Sequence, residues 1–390
     1  MTRALVLDGR SLSALSFVRS LGQSGVEVHV GESFGQNLAA YSKYATASHV
    51  YPSADDNPAG FRRVVRDVVE TTGFDTVVPT RDATTRELAA VCDDFPDRTS
   101  TLLSSPETID RLGDKARCAK LAERVGVPIP ATYDPAETAV DEIAATADFP
   151  VLVKPTNGAG ARGIARVDDP AELAATYRSV TDDHGDAIVQ EYVDHAGGHY
   201  SVGTVFDRAS EPRAIHVYEE LRQYPESGGP AVEAHSRPVE PWVDDLLDIL
   251  RAVEWVGPAH MDVLFDPDDE TYKLLEVNPR IWMSIGLTIR AGVDVPSLTL
   301  ALATGGDPEP VTAYRTDLRY RWVLPSGVLW AVGGDRLTGR LRDVLVPPAE
   351  PVCYGVLSGR DPNAVAGVAA QSLSFLRDPE KRRQVLGRGW

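Results

Sequence analysis

The residues with the clearest chemical potential lie between His260 and Asn278. The stretch His260-Met261-Asp262-Val263-Leu264-Phe265 is followed by Asp266-Pro267-Asp268-Asp269-Glu270-Thr271, then by Tyr272-Lys273-Leu274-Leu275-Glu276-Val277-Asn278. Two apolar-rich segments around an acidic, turn-forming loop predict an antiparallel hairpin. Asp262 and Glu276 lie symmetrically about Asp269, so a regular register sets them opposite each other. Their Cβ atoms would then be about 4.5–5.5 Å apart, and the like charges repel. Asn278 shares the face of Glu276 because strand side chains alternate with period two. Two carboxylates and an amide oxygen on one side suit Mg²⁺ (or Mn²⁺), a hard ion that also holds substrate phosphates. The bland alternative is a solvated acidic hairpin; Leu274, Leu275 and Val277 argue against it.

A second candidate is Gly158-Ala159-Gly160-Ala161-Arg162-Gly163, a literal GxGxxG. A dinucleotide fingerprint needs a strand before it and a helix after it. Here the strand Val151-Leu152-Val153 precedes, but Gly163 to Val167 reads as another strand. The loop is therefore expected to be a flap whose backbone N–H groups cover phosphates. Lys154, at its root, is placed to reach a phosphate as a point charge. An oxidoreductase using NAD would need a nucleotide fingerprint near Leu7-Asp8-Gly9-Arg10-Ser11, and none is there.

The elements that must position these residues fall into blocks. Residues 1–105 alternate strand and helix: strands at Ala4–Leu7, Val26–Val30 and Thr76–Pro79, helices over 12–22 and 58–72, which predicts a parallel sheet. Ser105-Pro106-Glu107 opens linker helices over 106–130, closed by Gly126 and Pro128. Strands at 151–153, 163–167, 187–193 and 200–206, with a helix near 170–180, predict an α+β unit. Residues 131–195 and 196–306 are assigned to a small and a large subdomain. A Pro/Gly-bearing connection (221–241) leads to helices over 242–253 and 296–303. Residues 307–390 have a weak, proline-rich pattern and are placed as an appended region.

The chain has 390 residues, 57 acidic and 39 basic, for a net charge of −18. Only six of the basic residues are lysine: Lys43, Lys115, Lys120, Lys154, Lys273 and Lys381. Acid-rich, lysine-poor composition spread evenly along the chain points to a halophilic, salt-adapted protein rather than to one cationic partner. It argues against nucleic acid. No run approaches the ~18 apolar residues of a membrane span. No signal-peptide pattern is seen at residue 1, and three dispersed cysteines, Cys92, Cys118 and Cys353, fit a reducing, cytoplasmic location.

Taken in order, six segments resemble the ATP-grasp superfamily, which includes biotin carboxylase, D-alanine–D-alanine ligase and the carbamoyl phosphate synthetase large chain. They are Asp114-Lys115, Val151 to Pro155, Gly158 to Gly163, Gln190-Glu191-Tyr192-Val193, Asp262, and Glu276-Val277-Asn278-Pro279-Arg280. The resemblance implies an α/β and α+β chain, an ATP-grasp fold preceded by a Rossmann-like domain. It implies that Lys115 and Lys154 hold ATP phosphates under a flap that includes Gly158, Gly160 and Gly163. Gln190 would meet the adenine amino group, and Glu191 and Val193 would offer backbone groups to the adenine edge. Asp262, Glu276 and Asn278 would hold Mg²⁺, and Arg280 would steady the transferred phosphoryl group. His199 stands where many relatives carry an acid; with His195 it is expected to face solvent.

The implied activity is ligation: a carboxylate takes the γ-phosphoryl group of ATP as an acyl phosphate, and an amine, an amino acid or peptide-like nucleophile, displaces phosphate. A non-catalytic nucleotide-binding protein on the same fold is the alternative, and it would need a damaged lysine or acid set. Expected partners are small-molecule carboxylate and amine substrates, with a homodimer as an option, and neither nucleic acid nor membrane. Arg222 and, more weakly, Arg290 are candidates for holding a substrate carboxylate. Thr80-Arg81-Asp82 follows a strand end where open α/β sheets place ligands; it would meet the second substrate or cap a helix.

Overall fold

Short β-branched runs alternating with amphipathic helices build the first layer. The computed structural model describes residues 2–158, 162–224, 226, 229–334 and 336–378. Strands β1 (Arg3–Val6), β2 (Glu27–Glu32), β3 (Ala45–Val50) and β4 (Thr76–Val78) form a parallel sheet in the order β3-β2-β1-β4. The predicted helices appear at Leu12–Gln23, capped by the Ser11 side chain, and at Pro58–Thr72, closed by Gly73 at φ 76°. Strand β3 has no strand signal in its Ala-Thr-Ala-Ser-His-Val sequence. It is an edge strand with alternate residues exposed, so backbone pairing to β2 holds it rather than apolar burial.

The second layer is a four-stranded antiparallel sheet of β5 (Thr132–Tyr133), β6 (Val151–Pro155), β7 (Ala165–Val167) and β8 (Ala187–Glu191), in the order β5-β8-β6-β7. Helices Val140–Thr146 and Leu173–His184 bury Ile143, Leu173 and Val180 against Val151, Val153 and Val189. Residues 159–161 of the glycine loop, including Gly160, lie outside the described residues.

The third layer is a seven-stranded sheet of β9 (His199–Phe206), β10 (Pro212–Gln223), β11 (Ala231–Arg237), β12 (Gly257–Asp266), β13 (Thr271–Asn278), β14 (Arg319–Arg321) and β15 (Val352–Tyr354). Its order is β13-β12-β9-β10-β11-β14-β15, antiparallel except for the β14–β15 pair. The stretch expected as a connection over 221–241 therefore holds the end of β10 and all of β11. Its sequence hid this because the strand is polar inside: Glu233 is buried, and Arg222, Arg319 and Arg321 all reach it.

The C-terminal region is woven into the body. Besides supplying β14 and β15, it runs a helix, Asn363–Arg377, against the Ala39–Tyr41 turn of the first layer. Gln371 accepts a hydrogen bond from Leu38 N at 2.8 Å. Asp361 binds Arg19 at 2.8 Å and accepts from Ser42 Oγ at 2.9 Å. No single helix among the described residues is long and apolar enough to cross a membrane.

Because Asp361 is buried and neutralises Arg19, Asp361→Ala is expected to cost about 3 kcal/mol, the penalty of stranding a buried charge. A urea titration should show an earlier unfolding midpoint. An unchanged midpoint would show that this clamp does not hold the first layer.

Candidate active site

Strand pairing brings the two acids of the hairpin together: Asp262 pairs directly with Glu276 and His260 with Asn278. The register then slips by one at Leu275, since Val263 pairs with Leu274. This bulge is what lets both acids and the asymmetric turn fit one ribbon. Asn278 lies between the acids, its Nδ2 donating to Asp262 at 3.0 Å and to Glu276 at 3.1 Å. The amide N–H₂ thus offsets part of the repulsion that directly opposed carboxylates carry. Lys115, at the start of helix Lys115–Val125, adds a cation at 3.2 Å from Glu276 and donates to the carbonyl of Gly158 at 3.1 Å.

The two carboxylates of Asp262 and Glu276 are hard oxygen donors on one ribbon face and fit Mg²⁺; the Asn278 amide, expected as a third ligand, turns its N–H₂ toward them and its oxygen toward Arg280, so it would have to turn over to join them. No group of three or more His, Cys, Asp or Glu among the described residues forms a ready-made metal cage.

Arg280 follows the ribbon. Its Nη2 donates to Asn278 Oδ1 at 2.9 Å and its Nε to Asp82 at 3.0 Å. Asp82 opens helix Asp82–Ala89 just past β4, so Thr80-Arg81-Asp82 both starts a helix and lines the site. Asp8 fixes that turn from beneath. It is buried at φ 63°, accepting from Thr80 N at 2.9 Å and Thr84 Oγ1 at 2.6 Å.

Above the ribbon, Lys154 is buried and donates to Gln190 Oε1 at 2.6 Å; Gln190 Nε2 in turn donates to Thr132 at 2.8 Å. Burial pushes the Lys154 ammonium down to about 8, with Glu276 opposing and Lys115 adding to the shift. The Gln190 amide expected at adenine is thus committed to the lysine in this structure. Glu191 is held by Ala131 N at 3.0 Å and stands 3.6 Å from Lys273, and its own N–H donates to Ala131 O. Val193 is buried just past the end of β8.

Three sequence expectations change. His199 does not face solvent: its side chain is 13% exposed, Nε2 stands 3.7 Å from Asp262, and Nδ1 meets Gln223. Burial alone would lower its pKa, but Asp262, Glu220 and Glu276 outweigh it and carry it up to about 9. Arg222 does not reach the cavity beside the ribbon. Bulges on either side of it in the β10–β11 pairing break the alternation that would place it on the face of Glu220. Its guanidinium goes to Glu233 at 2.5 Å and Asp343 at 3.1 Å and lies over the Trp330 ring. Arg290 lines a separate cleft with Arg19 and Arg360.

Other residues enter that the sequence did not single out. The cavity, about 170 Å³, is also lined by Glu220, Gln223, Tyr218, Ser284 and Trp282. Tyr218 donates to or accepts from His260 at 2.8 Å and accepts from Ser284 at 2.6 Å. Gly203 is required because a Cβ there would fall 2.2 Å from the Trp282 ring. The signal that could have found them is the alternation His216, Tyr218, Glu220 on β10, a stretch to which the sequence reading assigned no strand.

Residues 112–284 match the model of the ATP-grasp domain, and residues 259–325 match that of the ATP-grasp in the biosynthetic pathway with Ter operon. The chain is 27% identical over 222 residues to pyruvate carboxylase of Aspergillus niger, covering 53% of this chain and 18% of that protein. It is 30% identical over 190 residues to D-alanine–D-alanine ligase of Kocuria rhizophila, covering 42% of this chain and 48% of that one. The chain therefore spans less than half the length of these curated relatives. In fold it is similar to a biotin carboxylase–β,γ-ATP complex from Campylobacter jejuni. The TM-score is 0.68 at 17% identity, over 81% of this chain and 74% of that one.

The bridging amide can be tested directly. Asn278→Asp keeps the acceptor for Arg280 but replaces the bridge with a third acid. Without divalent cation its melting temperature should fall, at a cost of roughly 1–3 kcal/mol. Added Mg²⁺ should raise it by more than in the wild type. Equal melting of the two metal-free proteins would show that the bridge carries no weight.

Proposed function

The chain belongs to the ATP-grasp superfamily, and from that premise we propose that it is a Mg²⁺- and ATP-dependent carboxylate–amine ligase. A substrate carboxylate oxygen attacks the γ-phosphorus of ATP and ADP departs, leaving an acyl phosphate. The amine nitrogen then attacks the acyl carbon, loses a proton, and inorganic phosphate leaves. Bound at Asp262, Glu276 and Asn278, Mg²⁺ would supply charge neutralisation for the phosphates.

The side chains contribute position and charge, the main demands of phosphoryl transfer. Lys115, which donates to the carbonyl of Gly158, and the buried Lys154 hold phosphates; the expected cover by Gly160 lies outside the described residues. Gln190 fixes the Lys154 ammonium at 2.6 Å, and its rearrangement would release the amide to adenine, beside the backbone of Glu191 and Val193. Arg280, braced by Asp82 and Asn278, faces the cavity where the acyl phosphate forms. The carrying observation is that Lys115, Asn278 and Arg280 form one hydrogen-bonded and ion-paired chain with Glu276 and Asp262. The phosphate-binding cations and the metal-binding acids are thereby preassembled on one face.

Incubation with MgATP and pooled carboxylates and amines should release phosphate and yield a condensed product by mass spectrometry. Glu276→Ala should lower that rate by about 10²–10³-fold, the usual loss on removing a preorganised electrostatic group. Undiminished ADP formation in the variant would discredit the assigned metal site.

A further inference from the structure

We propose that the cleft lined by Arg19, Arg290 and Arg360 binds a small phosphate ester, with Arg290 and Arg360 taking the phosphate group and apolar side chains of the cleft taking the organic body. This site goes beyond the ligase reading above. The cleft and the cavity beside the ribbon have no lining residue in common.

The cleft opens between helix Leu12–Gln23, helix Ile285–Ala291 and the chain that runs from β15 to Arg360. Its volume is about 730 Å³, against about 170 Å³ for the cavity beside the ribbon. Sites for drug-sized ligands span roughly 300–1,000 Å³, so an organic molecule fits here.

Its charge is opposite to that of the chain. A net charge of −18 sets up a field that repels anions, yet three arginines and a single acid line this cleft. The acid, Asp294, is engaged at the start of helix Val295–Ala303, accepting from Ser20 Oγ and Ser297 Oγ, both at 2.6 Å. Arg19 is also committed: Asp361 holds it at 2.8 Å, and it donates to the carbonyls of Gly355 at 3.1 Å and Val356 at 2.7 Å. It shapes the wall and has little left for a ligand.

Arg290 and Arg360 differ. Both are exposed, and neither guanidinium forms an ion pair or hydrogen bond with another described residue. Arg290 lies close enough to the Cys353 thiol to oppose the upward push of burial on it, which sets its guanidinium beside the cleft wall. Its place in the last turn of its helix suits the helix dipole, but that interaction leaves its N–H donors unused. Arg360, on a loop, has no such role. Free guanidinium forks match phosphate oxygens bidentately, and two of them match the double charge that a phosphate monoester approaches. Ile289, Val352 and Leu357 line the same cleft. Free phosphate could not cover this apolar surface, whereas the body of an ester would gain by covering it.

The test is calorimetry on the full chain at fixed KCl concentration, with phenyl phosphate as the probe and inorganic phosphate and phenol beside it. Phenyl phosphate should bind more tightly than inorganic phosphate, and phenol should show no heat of binding. Arg290→Met and Arg360→Met should each weaken phenyl phosphate roughly tenfold or more, while Lys115→Met should stay within about twofold of wild type. Both arginines are exposed, so the melting temperatures of their variants should match the wild type, and lost binding then reports the site. The proposal is overturned if phenyl phosphate does not bind, if inorganic phosphate binds as tightly, or if both arginine variants bind like the wild type. Binding lost in Lys115→Met would place the probe at the ATP phosphates and overturn it as well. None of these outcomes touches the ligase reading, which is tested by ADP formation.

Discussion

Two carboxylates forced into register on neighbouring strands repel, and much of this molecule is arranged around that repulsion. Asp262 and Glu276 are directly paired, in a position where like charges destabilise a sheet. The local answer is the Asn278 amide. The longer-range answer is a ring of cations: Lys115 from the linker helices, Arg280 from the chain just past the ribbon, and the His199 imidazole from β9. Burial alone would raise the Asp262 pKa, yet His260, His199 and Arg280 hold it below the usual carboxylate range. Glu220, lacking a comparable share of those cations, is raised by burial and by Asp262. The same field therefore pushes two acids of one cavity in opposite directions.

The layers meet at this site. Asp82 of the first layer holds Arg280 of the third, and Asp8 sets the turn that presents Asp82. Ser13 donates to Trp282 O at 3.0 Å, tying helix Leu12–Gln23 to the cavity wall. The C-terminal region braces the same helix through Arg19 and Asp361. A residue far along the chain thus contributes to the site by fixing the rigid element beneath it, which is how precise geometry is kept where loops alone would be too loose.

Lysine is scarce here, and its placement carries information. Two of six lysines, Lys115 and Lys154, converge near the acids, and a third, Lys273, is anchored by Asp266 at 2.6 Å in the turn of the ribbon. A compact ammonium can be buried and can shift its pKa where a guanidinium stays charged. Lys154 shows this: burial draws it to about 8, so a phosphate arriving beside it would favour its charged form.

The sequence alone was enough to determine the ribbon, the opposition of its acids, the order of the segments, and the helices expected over 12–22 and 58–72. Each of these is local: strand alternation, turn chemistry and capping act over a few residues. It could not determine β3, held by pairing alone, or β11, whose buried Glu233 is neutralised by arginines that include Arg319 and Arg321, distant in the chain. Nor could it tell that bulges would turn Arg222 toward Glu233 and bring Gln223 to His199, because a bulge depends on the partner strand. Two of the residues that line the cavity, Glu220 and Arg81, come from different layers. Only tertiary packing decided that they share one cavity, since nothing in the spacing of two residues on separate sheets records the distance between them.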